Sequence, residues 1–128
     1  MIKGRCECGG VAFEVARLRE TVTNCHCGQC RKMSGHYLAL TRAQAADITF
    51  TSDATLTWYR SSPDARRGFC GTCGSSLFFH PTGAPHYGIA AGCLEGPTGM
   101  ATTKHIFVAD KGDYYEIDDG LPQLEGYT

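Results

Sequence analysis

Cys25-His26-Cys27-Gly28-Gln29-Cys30 sets three thiols in six residues, and Cys70-Gly71-Thr72-Cys73 sets two more on one tight step. With Cys6-Glu7-Cys8 they make seven of the eight cysteines, Cys93 standing alone. A CxC or CxxC step brings two sulfurs onto one turn, aimed at a single point. Glycine beside them lets the backbone turn without a side-chain clash, and Gly9, Gly28, Gly71 and Gly74 sit where such knuckles want them. How the thiols are used depends on their compartment. Met1-Ile2-Lys3-Gly4-Arg5-Cys6 lacks the apolar stretch of a secretory signal, and no apolar run approaches the length of a bilayer span. The expectation is a soluble, cytoplasmic chain whose thiols stay reduced. Metal ligation is then the first reading of the cysteines. Disulfides, a Cys70–Cys73 redox pair and an iron–sulfur cluster on the middle motif are the alternatives.

The sequence between the knuckles is punctuated by 16 glycines and carries short alternating runs rather than long periodic ones. Val11, Phe13 and Val15 alternate with small or polar neighbours, as a half-buried strand does. Similar runs occupy 37–41, 48–51, 56–60, 77–79, 87–91 and 105–109. Turn signals separate them at Ser61-Ser62-Pro63-Asp64, Pro81-Thr82-Gly83-Ala84-Pro85 and Glu95-Gly96-Pro97. Only 42–47 reads as briefly helical. The prediction is a mainly β fold of short antiparallel strands with no long helix. With 128 residues and no linker-like stretch, it is one domain spanning 1–128. Trp58 with Tyr59, and Phe78 with Phe79, read as core. Charge is nearly balanced, 12 Lys and Arg against 13 Asp and Glu, which excludes a large sequence-independent footprint on nucleic acid.

The middle cluster differs from the other two in number. Four thiolates around zinc make a closed tetrahedral structural site, and the paired steps at 6/8 and 70/73 together supply four. Spacing alone does not say which cysteines share an ion. Cys25, Cys27 and Cys30 supply three, which leaves one position of a tetrahedral ion open, as catalytic zinc sites require. Three thiolates also leave the ion more Lewis acidic than four, and a thiol bound to it is deprotonated at neutral pH. Such a site suits presentation of a substrate thiol as a nucleophile. Glutathione, a small-molecule thiol, carries two carboxylates, so cations beside the open site are candidate holds for it. Arg31 and Lys32 follow Cys30 directly, and Arg66 and Arg67 approach Cys70. Guanidinium groups grip carboxylates bidentately, which favours the arginines; all four also read as ordinary solvated charge. His26 reads as a solvent-facing residue or a hydrogen-bond support, with proton donor or substitute ligand as the sharper options.

The order CxC, CxCxxC and FCxxCG resembles the glutathione-dependent formaldehyde-activating enzyme family, a domain shared with a centromere-associated protein. Arg31-Lys32-Met33-Ser34-Gly35 and Tyr59-Arg60-Ser61-Ser62 extend the match. So do 104–111, Tyr115-Glu116-Ile117 and Gly120-Leu121-Pro122. The resemblance implies a β-rich, Mss4-like fold with zinc-binding knuckles and two zinc ions. It implies a structural ion on Cys6, Cys8, Cys70 and Cys73, and a catalytic, labile one on Cys25, Cys27 and Cys30. The activity it implies is that of a carbon–sulfur lyase joining glutathione to formaldehyde as S-hydroxymethylglutathione. A non-catalytic zinc scaffold that binds another macromolecule is the rival expectation.

Overall fold

In the computed structural model, which describes residues 1–128, ten strands, one short helix and three single turns of 3-10 helix follow one another. The strands are β1 Ile2–Arg5, β2 Val11–Val15, β3 Thr21–Cys25, β4 Leu38–Gln44 and β5 Ile48–Asp53. They continue as β6 Leu56–Ser62, β7 Ala65–Cys70, β8 Ser76–Pro81, β9 His86–Ala90 and β10 Ala101–Ile106, and the helix is α1 Gly28–Ser34. No helix is long and apolar enough to cross a membrane.

Two sheets carry the fold. The smaller is ordered β1-β2-β5, and the larger β10-β3-β4-β9-β8-β7-β6. Every pairing is antiparallel except β10 on β3, which is parallel. The alternation read at Val11, Phe13 and Val15 is real, all three being fully buried. They meet Leu77, Phe78 and Ile89 of the larger sheet in the main core. Period-two geometry sends neighbours to opposite faces. Of each aromatic pair read as core, therefore, only one member packs inward: Trp58 and Phe78 do, while Tyr59 is exposed. Phe79 lies under a guanidinium on the other face of β8.

The expected mainly β, knuckled, Mss4-like fold is thus the one observed, with corrections at its elements. The helix expected over 42–47 is the end of β4 followed by a single 3-10 turn at Ala45–Asp47. The strand expected over 105–109 lies earlier, ending at Ile106. There Phe107 turns left-handed (φ 55°) and starts the turn Val108–Asp110. Beyond it the C-terminal residues return along β10, with His105 N–H donating to the Pro122 carbonyl and Leu124 N–H to that of His105. This return places 114–124 beside the end of β3, where the thiols of the middle motif lie.

Candidate metal centre

The two paired steps meet in space. Cys6 ends the β1 arm and Cys70 ends β7, each opening a tight turn closed by a glycine, with Gly9 N–H donating to the Cys6 carbonyl and Gly74 N–H to that of Cys70. Gly9 and Gly74 both hold φ of 81°, a left-handed conformation that any Cβ would strain. Gly28 and Gly71, also expected at knuckles, serve otherwise. Gly28 starts α1, and a Cβ on Gly71 would meet Thr57 Oγ1 at 2.6 Å. The Cys6, Cys8, Cys70 and Cys73 sulfurs all lie within 4.8 Å of one another. Cys8 Sγ is 3.7 Å from Cys6 Sγ and 3.6 Å from Cys70 Sγ. A tetrahedron of sulfurs at ~2.3 Å from zinc has edges of about 3.8 Å, so the four fit the ion closely. No two of the eight cysteines are joined by a disulfide.

Local donors tune these sulfurs. Val11 N–H donates to Cys6 Sγ, and Thr72 and Cys73 N–H to Cys70 Sγ. Hydrogen bonds from Ser75 hold the Cys73 thiol down to about 5.

The middle motif forms the second cluster. Cys25 is the last residue of β3, Cys27 caps α1 by accepting from Cys30 N–H at 3.2 Å, and Cys30 lies in the first turn of α1. Strand end, cap and helix turn bring the three sulfurs within 4.8 Å of one another, and no fourth His, Cys, Asp or Glu joins them. Cys25 and Cys30 are buried and Cys27 half-exposed, so the opening is on the Cys27 side. Hydrogen bonds from the Cys25 and Cys30 thiols push the Cys27 thiol far below its ordinary value. Cys30 N–H and the Arg67 guanidinium act in the same direction.

The four candidate cations part company here. Arg67 is 6% exposed, donating from Nε to Gln29 Oε1 at 2.9 Å and from Nη2 to Cys30 Sγ at 3.5 Å. The reading of Arg67 as solvated charge is therefore overturned, because the outward-looking position on β7 is covered by α1. Arg66, one residue away, points to the opposite face. It stacks 3.8 Å over Trp58 and donates to His80 Nδ1. Arg31 and Lys32 lie on α1; Lys32 is exposed, whereas Arg31 Nε is buried without a hydrogen-bond partner.

His26 is fully buried, and both its ring nitrogens are engaged away from the thiols. Nδ1 meets the Tyr115 hydroxyl, and Nε2 meets His105 Nδ1 at 2.8 Å. His105 Nε2 in turn meets Asp119 Oδ2 at 2.7 Å. One assignment satisfies every atom with both imidazoles neutral: Tyr115 donates to His26, His26 to His105, and His105 to the Asp119 carboxylate. Burial above all, with the nearby Lys111 ammonium acting in the same direction, lowers His26 to about 4, in keeping with a neutral ring. His26 is thus neither a fourth ligand nor a solvent-facing residue. Sequence reasoning quoted Tyr115 only as part of the resemblance and missed both its bond to His26 and that of Asp119 to His105, since nothing in the spacing brings these segments together.

A mainly β chain that gathers four cysteine sulfurs in one cluster and three in another falls in the class of cysteine-rich proteins with two candidate metal sites. More narrowly, the chain belongs to the glutathione-dependent formaldehyde-activating enzyme family, whose profile matches residues 1–110. Tyr114, Tyr115 and Asp119 lie beyond that match. An uncharacterised lyase of Schizosaccharomyces pombe is 27% identical over 117 residues, covering 90% of this chain and 84% of the yeast protein. A Rhodobacter sphaeroides protein of known crystal structure superimposes with a TM-score of 0.64 at 30% identity, covering 79% of this chain and 99% of that one.

Proposed function

We propose that the chain is a zinc-dependent carbon–sulfur lyase that interconverts a small aldehyde and a thiol with their S-hydroxyalkyl adduct. Glutathione and formaldehyde, giving S-hydroxymethylglutathione, are the favoured pair. The observation that carries this reading is the cluster of three cysteine sulfurs with no fourth ligand grouped with them, His26 within the motif being tied to Tyr115 and His105. Membership of the family supports the same reaction class.

Cys25, Cys27 and Cys30 would hold the catalytic ion, and Cys6, Cys8, Cys70 and Cys73 the structural one. When bound, zinc supplies Lewis acidity that favours a deprotonated substrate thiol at neutral pH. The chemistry is redox-neutral. The thiol gives up its proton, the carbon–sulfur bond forms as the carbonyl π bond breaks, and the oxygen takes up a proton. The remaining work belongs to the chain. Arg31 and Lys32 on α1, next to Cys30 in the chain, are candidate holds for the carboxylates of glutathione, Lys32 being exposed. Of the other two candidates by sequence, Arg67 is buried with donors engaged by Gln29 and Cys30, while Arg66 faces away over Trp58 with its Nε on His80. Burial of Cys25 and Cys30 confines approach to the Cys27 side.

The test is zinc content per chain for wild type and Cys27→Ala, with and without glutathione, followed by turnover of S-hydroxymethylglutathione. The expected result is up to two ions in wild type and one in the variant, glutathione perturbing the wild type alone, with turnover lost in the variant. A wild type that never exceeds one ion after zinc is resupplied, and ignores glutathione, refutes the reading and favours the scaffold.

A further inference from the structure

A buried charge needs a counter-charge, and Arg67 has no acidic one. The ion pairs of the fold are Arg5 with Glu95 and His105 with Asp119, so no carboxylate lies within 4 Å of the Arg67 guanidinium. Its polar partners are the neutral Gln29 amide and the Cys30 sulfur, and its flat face covers the Phe79 ring at 5.0 Å. The cavity beside it, about 10 Å³, has room for one water at most. Solvent therefore does not neutralise this cation. The anion that does is the thiolate cluster.

The closed cluster makes an instructive contrast. Its sulfurs receive hydrogen bonds from neutral groups, the N–H of Val11, Thr72 and Cys73 and the hydroxyls of Thr55 and Ser75. A divalent ion with four thiolates carries two negative charges and has no need to admit another ligand. A divalent ion with three carries one. A cation fixed against the open cluster cancels that charge.

We infer that Arg67 is the built-in counter-cation of the three-thiolate centre, and that its charge favours an anionic over a neutral ligand at the open position. Arg67 is thus a positioning residue that acts through Cys30 rather than a clamp on the substrate's carboxylates. Gln29 fixes the orientation: its amide oxygen accepts from Arg67 while its amide nitrogen donates to the Ser61 carbonyl at 2.9 Å. Helix α1 is thereby tied to β6 and β7 across the guanidinium. The inference rests on a metal ion at Cys25, Cys27 and Cys30, as in the function proposed above.

The test separates charge from packing. Wild type, Arg67→Met and Arg67→Lys are loaded with cobalt(II), and 2-mercaptoethanol (an anionic ligand once bound) and imidazole (a neutral one) are titrated while the visible spectrum of the metal is followed. Loss of a cation next to a liganding group should weaken thiol binding to Arg67→Met by about 10- to 100-fold, with imidazole affinity little changed. Arg67→Lys should retain the wild-type preference to within about tenfold, because it keeps the charge. Equal weakening of both ligands in Arg67→Met, or no change in either, would overturn the inference. Retention of the ion at Cys6, Cys8, Cys70 and Cys73 reports an intact fold. Should Arg67→Met fail to fold, Arg67→Lys decides: a preserved thiol preference supports the inference and a collapsed one overturns it. Failure to turn over S-hydroxymethylglutathione with this preference intact would remove the proposed reaction and leave the role of Arg67 standing.

Discussion

Replacing Tyr115 by phenylalanine deletes one oxygen and leaves His26 Nδ1 without its partner. His26 is 1% exposed, so its ring nitrogen is screened from bulk water. Stranding a buried acceptor costs about 1–3 kcal/mol. In a chain of 128 residues each kcal/mol moves the melting temperature by about 3–5 °C, so Tyr115→Phe should melt roughly 3–15 °C below wild type. The structure supplies a matched control. Tyr114, the preceding residue, makes the same kind of bond, hydroxyl to His36 Nδ1 at 3.0 Å, but is 59% exposed. Water replaces that partner freely, and Tyr114→Phe should shift stability by about 0.5 kcal/mol or less. Thermal unfolding of the zinc-loaded proteins, followed by circular dichroism at one scan rate, reads both. Equal shifts in the two variants would refute the reasoning, because burial would then not set the worth of the bond. The consequence reaches the metal centre, since His26 lies between two of the three thiols and its ring anchors the loop that carries them.

The remaining predictions concern the core and the metals. Gly4→Ala places a Cβ 2.4 Å from the buried Phe13 ring, and overpacking of this kind should cost about 1–3 kcal/mol in chemical denaturation; a neutral result would mean that β1 moves freely over the core. Gly68→Ala meets Trp58 and Phe78 at 3.0 and 3.1 Å and should destabilise less, because those gaps close with small shifts; an effect exceeding that of Gly4→Ala would contradict this order. On titration with a chelator, the ion held by Cys25, Cys27 and Cys30 should leave before the ion held by four thiolates, as followed by zinc release. Simultaneous release would mean that the clusters are not distinct in ligand number.

The structure of 1–128 shows which parts of the site the chain announces and which it conceals. The seven clustered cysteines are legible because ligand geometry is local: a CxC or CxxC step fixes two sulfurs on one turn whatever the surroundings. Helix α1 escaped notice because its cap is a cysteine sulfur and its length is seven residues, although Gly35 (φ 86°) marks its end as a C-terminal glycine should. Strand β7 escaped because Arg66, Arg67 and Gly68 interrupt any apolar alternation. Strand β3 carried a usable signal in the β-branched residues of Thr21-Val22-Thr23.

By itself the sequence determined the mainly β class and the local thiol steps, three sulfurs in one six-residue motif and two in each of the other pairs. These follow from side-chain period and from backbone turns spanning a few residues. Tertiary structure decided which cysteines gather with which, joining Cys6 and Cys8 to Cys70 and Cys73. It also decided that Arg67 is enclosed against Cys30 while Arg66 is not, that Tyr115 returns to His26 directly, and that Asp119 reaches it through His105. Each of these depends on which strand covers which, and burial by distant chain segments, rather than local spacing, turns an ordinary surface arginine or tyrosine into part of a site.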